Sequence, residues 1–341
     1  IQSFRRIAEA ISTLVPIFGG ITLLVLFYVI LSHNHHIYHW LDAEAVAKDP
    51  ILKGKVGFLN PTFFVIWTTL TISLWSLFGY RVRQLNNQAD VAPMDAPTAK
   101  AFNIQSMVRS GFFLVWFGLT VASTIPWLWL MSIDAHWYST MYSWYTFAST
   151  FVAGMALIAL WVVYLKNKGY LELTNNEHLH DIAKFMFAFS IFWTYLWFSQ
   201  FMLIWYSNQP EETAYFIDRL GYGGKGDGPF RAMFLLNLII NFLAPLLILM
   251  RRGSKRSYTV VTLMSVIIIF GHWLDFYQMI TPGPLKELGK DSNPISHFVY
   301  SLGISAGFLG LVIFLTARYL TKASLLPKNH PLVKESIIHH T

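Results

Sequence analysis

The run FGHWLDFYQM (270–279) sets His272 and Asp275 three residues apart inside an otherwise apolar segment of membrane length. Residues i and i+3 share a helix face, so the imidazole and the carboxylate point the same way. Ionisable groups are expensive in a bilayer and tend to mark proton or ligand routes. The pair has two readings: a proton acceptor coupled to an imidazole, or a satisfied pair tying one helix to its neighbour. At a rise of about 1.5 Å per residue, Asp275 lies near one end of its helix and not at the bilayer midplane.

Two further clusters carry comparable chemistry. MSIDAHWYST (131–140) places Asp134 and His136 in a tight turn between apolar runs. That position suits a base facing a quinone head group, taking the hydroxyl proton as electrons leave. It equally suits an N-cap (Asp134) and an interfacial partner of Trp137 (His136). SHNHHIYHW (32–40) brings His33, His35, His36 and His39 to a helix end. Without a continuous helix to preorganise them, solvated imidazoles are expected there, and no metal. NNEHLHDIAK (175–184) offers Glu177, His178, His180, Asp181 and Lys184 as a proton entrance, or as a solvated first turn. Within the apolar runs, Asn237 and Asn241 stand at i and i+4, Thr194, Tyr195, Ser199 and Gln200 lie in the fifth, and Thr68, Thr69, Thr71, Ser73 and Ser76 in the second. Such groups seat water for a proton wire, or bind helices by modest hydrogen bonds.

The elements that must position these groups follow from composition. With 55% hydrophobic, 17% aromatic and only 13% charged residues in 341, the chain has too little polar surface for a water-soluble globule. Eight apolar stretches reach the length of a spanning helix, at about 11–32, 59–80, 110–132, 141–165, 185–206, 232–250, 259–280 and 297–320. Alternating strands are absent, so the expected fold is an all-α polytopic membrane protein with about eight transmembrane helices. Pro16 with Gly19 and Gly20, and Pro126, predict kinks or close helix approaches. Most of the 25 Lys and Arg residues fall before the first stretch, after the second, fourth and sixth, and in the C-terminal tail. The positive-inside rule then puts both ends of the chain in the cytoplasm. The net charge of +7 is thereby a topology signal and calls for no nucleic acid.

The chain has no cysteine, which excludes thiolate-held iron-sulfur clusters, c-type haem attachment and disulfides. With histidines nearly absent from the apolar runs, no redox cofactor is expected on this chain. The glycine-rich GYGGKGDGP (221–229) lacks the Lys-Ser or Lys-Thr of a phosphate loop and reads as a turn.

Three of these segments carry a resemblance: MSIDAHWYST, the run FMFAFSIFWTYLWFSQFMLIWYSNQPEE (185–212) and FGHWLDFYQMITPG. They closely resemble the ActF-type membrane subunits of bacterial alternative complex III, a branch of the NrfD-like, polysulfide-reductase-type family. The resemblance implies two four-helix bundles in the bacterial inner membrane. It further implies an ActC-like paralogue beside this subunit, iron-sulfur and c-haem subunits carrying the electrons, menaquinone as the candidate quinol, and a terminal oxidase as a further associate. Members usually have additional spans upstream, and Ile1 is no initiator methionine, so further spans are expected before this chain. The bundles would then be the first three spans with a missing helix, and the fourth to seventh spans. The expected role is a non-redox subunit of a quinol:electron-acceptor oxidoreductase, scaffolding the complex and supplying a proton path and a quinone-facing site. A purely structural anchor is the alternative. A secondary transporter is disfavoured, because no inverted repeat is evident and the one deep carboxylate lies off the midplane.

Overall fold

The computed structural model describes residues 3–32, 34–91, 93–221, 228, 230–288, 294–322, 324–326 and 329–337. Eight of its helices are long and apolar enough to cross a membrane: Arg5–Leu31, Pro61–Gln88, Ala96–Asp134, Met141–Asn167, Asn176–Ser207, Arg231–Leu249, Tyr258–Ile280 and Ser296–Leu320. They are spans 1 to 8 below. No strand occurs among the described residues. The protein is an all-α polytopic membrane protein. His33 and most of the glycine-rich turn at 221–229 lie outside the described residues.

Several helices run past their apolar stretches because polar caps set their ends. Span 5 begins at Asn176, where Asn175 accepts from the amides of Glu177 and His178 and the His178 ring answers the Asn175 amide. This reciprocal box satisfies donors that a helix start leaves open. Span 2 starts with Pro61 at its first position, where no amide is needed, and Asn60 accepts from Phe63 N at 2.8 Å. Between spans 1 and 2 the short helices Ala43–Lys48 and Pro50–Lys55 are capped by Asp42 and Asp49.

Prolines decide where the spans deform. Pro16 has no amide, so the carbonyl of Ser12, four residues back, loses its helical donor. Span 1 breaks there into Arg5–Ser12 and Leu14–Leu31, and Arg83 donates to the Ser12 carbonyl at 2.9 Å instead. Pro126 lies in a π turn, Thr124–Leu130. Pro245 follows a second, Ile239–Leu243, which widens around Asn241. Glycines then allow close approach: a Cβ at Gly19 would strike Ile72, and one at Gly271 would strike Asn241 and Ile240.

Spans 4, 5, 6 and 7 pack as a four-helix unit, spans 1, 2 and 3 form a second group, and span 8 lies against the first half of span 1. Lipid gives apolar side chains no drive to associate, so close packing and interhelical hydrogen bonds must hold the helices. Spans 2 and 3 show this: Trp67 donates to Thr124 at 2.9 Å, Trp75 to Thr120 at 2.8 Å and Trp129 to Thr68 at 3.1 Å. The four-helix unit has two layers. One is aliphatic, with Ala156, Val162, Ile182, Met186, Leu249, Met264 and Ile268. The other is aromatic, with Trp137, Tyr142, Tyr145, Trp193 and Tyr215. Ser3 and Ser336 lie beyond the aliphatic layer, at what we call the basic end; Ser3 N donates to Ser336 Oγ at 3.3 Å there.

Candidate functional site

Asp275 sits where the two layers meet, about 25 Å along span 7 at 1.5 Å per residue. It is 1% exposed and accepts four hydrogen bonds from three other spans. Tyr145 Oη and Asn237 Nδ2 (2.8 Å) donate to Oδ1. Ser149 Oγ and Trp193 Nε1, both at 2.9 Å, donate to Oδ2. An ionised carboxylate has about four acceptor sites, and all are used. No Lys or Arg contributes among the described residues, so neutral donors hold the charge.

With Asp275 ionised, the proton positions follow from stoichiometry. Ser149 has one hydroxyl proton, and it goes to Asp275. Ser149 Oγ also lies 2.9 Å from His272 Nδ1, so Nδ1 carries the proton and donates to it. In the neutral ring Nε2 is then a bare acceptor. His272 is buried, and its Nε2 has no hydrogen-bond partner among the described residues. The His272 and Asp275 side chains approach no closer than 3.9 Å; Ser149 bridges them. Trp193 packs edge-on against the imidazole, 5.7 Å between centroids.

Asn241 Nδ2 donates to Asn237 Oδ1 at 2.5 Å, which fixes the Asn237 amide with its nitrogen toward Asp275. The wide turn before Pro245 and the absence of a side chain at Gly271 together make room for this second asparagine.

Past Asp275, away from the basic end, a small cleft of about 20 Å³ is lined by Asp134, Tyr142, Tyr215, Asp218 and Arg219. That is space for about one water. Arg219, from the short helix Pro210–Leu220, donates to the Gln278 carbonyl at 2.8 Å and covers the Tyr215 ring. It thereby satisfies a carbonyl in the last turn of span 7, where a cation is favourable. Toward the basic end, Met264, Ile268 and Met186 close the core.

The remaining sequence candidates are dispersed. His136 does not join Asp275; its Nε2 meets Asp49 Oδ2 of the loop helix Pro50–Lys55's cap. Both side chains are part-exposed, at 41% and 27%. That hydrogen bond, ahead of the Leu52 and Ile51 amides, holds the Asp49 carboxyl below its usual range. Lys55 donates to the Ala135 carbonyl at 2.5 Å; burial pushes its ammonium down against the charges of Asp134 and Asp49. Beside this pair a pocket of about 380 Å³ is lined by Lys55, Phe58, Trp127, Trp137 and Tyr138. Asp134 does not cap span 4, as one sequence reading held: it closes the turn Met131–Asp134, and Thr140 precedes span 4. His35 and His36 follow the end of span 1, and His39 sits in a short 3-10 turn.

Tyr195 is 61% exposed, since two residues along a helix from Trp193 turn it about 200° away from the core. Gln200 is buried on the Trp193 face but two turns further along. Of the proton-entrance candidates at 175–184, Glu177 pairs with Arg256 at 2.6 Å, Asp181 with Lys184 at 2.8 Å, and His178 serves the cap and approaches the Ser336 carbonyl at 3.0 Å. His180 is buried on the same first turns.

Sequence reasoning passed over Tyr145, Ser149, Trp193 and Arg219. The first two were visible as polar residues at i and i+4 of span 4. No family model matches the chain, and neither does any curated protein.

Proposed function

We propose that this chain is the integral, non-redox subunit of a quinol:electron-acceptor oxidoreductase of the alternative complex III type, in a bacterial inner membrane. In this reading spans 4 to 7 contribute a proton-handling site, and the pocket beside His136 and Asp49 faces the quinone, with menaquinone the candidate. An ActC-like paralogue and subunits bearing iron-sulfur clusters and haem c carry the electrons. Support comes from the resemblance of the three quoted segments. The outward face of span 8, which leaves Val299, Ile304, Ile313 and Phe314 exposed, is consistent with neighbours in an assembly.

The observation that carries the proton reading is the relay His272–Ser149–Asp275 with an open Nε2 at its head. A proton taken at Nε2 lets Nδ1–H pass to Ser149 Oγ, whose own proton moves to Asp275 Oδ2. Asp275 becomes neutral, and His272 is left neutral with its proton on Nε2. Only the Ser149 and Tyr145 hydroxyls can reverse direction; the Trp193 and Asn237 donors cannot. Resetting the relay therefore needs the proton to leave Asp275 through one of those two hydroxyls.

The test is Asp275→Asn in the complex purified with its haem-bearing partners and reconstituted in liposomes. The expected outcome is intact assembly with quinol oxidation and proton release reduced about tenfold or more, the lower range for loss of a positioned acid-base group. Unchanged turnover and proton stoichiometry would favour the structural reading. That reading has one observation for it: the aliphatic layer of Met264 and Ile268 separates His272 from the ion pairs of the basic end.

A further inference from the structure

A second cavity, of about 780 Å³, opens at the basic end between the start of span 1, the end of span 2, span 3 and the C-terminal tail. Its wall on span 3 is one helical stripe whose polarity changes along its length. Asn103, Ser106 and Ser110 come first, then Phe113 and Leu114, at the three- and four-residue spacing of one face. Asn103 and Ser106 precede the apolar stretch of span 3, Ser110 opens it, Phe113 and Leu114 lie within it, and Met107 stands between the two serines.

Charge is not balanced at the polar end. Arg5 and Arg6 both bond to Glu9, at 2.7 and 2.6 Å, and Arg6 also meets Asp90. Arg83 makes no ion pair among the described residues; it donates to the Ser12 carbonyl and hydroxyl, each at 2.9 Å. Those oxygens are neutral, and the carbonyl is free because of Pro16, so the guanidinium is fixed in the cavity wall without a contact ion pair; the nearest carboxylate acting on it is Glu9 of the same wall, which is already bonded by Arg5, Arg6 and Asn86. Asn86, 6% exposed and also in that wall, donates to Glu9 at 2.7 Å. Its Oδ1 has no donor among the described residues. His330 of the tail roofs the cavity; burial first, then the charges of Arg5 and Arg6, hold its imidazole down to about 4. The wall thus offers a guanidinium for an anion at its polar end.

We propose that this cavity binds one anionic glycerophospholipid, its phosphodiester on Arg83 and an acyl chain descending along Phe113 and Leu114. Guanidinium and phosphate match in charge and in the planar arrangement of donors. The apolar continuation distinguishes the site from one for a free phosphate, which has no use for it. A bound lipid would fasten the first half of span 1, span 2, span 3 and the tail together.

The test is native mass spectrometry of the protein purified in mild detergent, delipidated and then titrated with phosphatidylglycerol, phosphatidylcholine or inorganic phosphate. Phosphatidylglycerol should bind one per chain and survive activation, while phosphatidylcholine, with no net charge on its head group, should bind about tenfold more weakly or less. Inorganic phosphate should not displace the lipid. Arg83→Gln should weaken phosphatidylglycerol binding by a similar factor. Should that variant misfold, because Arg83 also holds Ser12, Ser106→Trp fills the cavity without touching the arginine and should do the same. Equal retention in both variants, equal binding of the two lipids, or displacement by inorganic phosphate would each overturn the proposal.

Discussion

Two carboxylate–imidazole pairs among the described residues differ in almost everything but residue type. His272 and Asp275 are both 1% exposed, do not touch, and communicate through Ser149. His136 and Asp49 bond directly and are part-exposed. In water the second pair needs nothing else, because solvent takes up whatever the partners leave unsatisfied. In the bundle every acceptor site on Asp275 must be met by protein, since a buried charge without partners costs several kcal/mol. The buried pair therefore required three other spans to supply donors, and the exposed pair required only that two loops meet. A site whose every donor is fixed except two hydroxyls is also one in which a proton has few ways to move.

Several substitutions sharpen or break that contrast. Asp275→Leu strands four buried donors, so the four-helix unit should lose about 3–5 kcal/mol, the cost of removing one partner from a buried charged network. A lowered thermal unfolding midpoint in detergent would register it. Gly271→Ala drives a methyl into Asn241 and Ile240 and should cost about 1–3 kcal/mol by overpacking, read on the same thermal scale. Ser149→Ala removes the bridge, leaves an Asp275 acceptor site and the His272 Nδ1–H unmet, and should cost about 1–3 kcal/mol of stability. Proton release per quinol should nevertheless fall toward the Asp275→Asn level, a separation of function from stability that a merely structural serine cannot produce.

The exposed pair gives the smallest effect, and it is one of pH. The Asp49 carboxyl is held below its ordinary value by His136, so the folded state favours the ionised form. Its contribution is complete above the unfolded carboxyl value of about 3.9 and is lost as pH falls through the lowered folded value. Hydrogen exchange in residues 42–55 should be unchanged between pH 7 and 5 after correction for intrinsic rates. Added exposure already at pH 5 would contradict the hydrogen bond.

The existence of eight spans was legible because bilayer thickness fixes how many apolar residues a helix needs. Their ends were less so: span 5 starts well before its apolar run because the Asn175 and His178 cap is a polar device that hydropathy does not see. Within the site, His272 and Asp275 were legible as neighbours on one helix, and Asn237 and Asn241 as a second local pair. What joins them was not, since Tyr145, Ser149 and Trp193 come from spans far away in the chain. Tyr195 turns away from that site for a simpler reason: a place beside Thr194 in the chain says nothing about which face of the helix a residue takes. The pairing of His136 with Asp49 crosses 87 positions, and only the fold brings those two loops together.

The central claim is that Asp275 exchanges a proton and is not a permanently ionised tie. Infrared difference spectroscopy between the oxidised and quinol-reduced complex addresses it directly, through the carbonyl stretch of a protonated carboxyl group. The account predicts such a band in the native protein, its loss in Asp275→Asn and its persistence in Asp49→Asn. A spectrum with no carboxyl band sensitive to Asp275→Asn would contradict it.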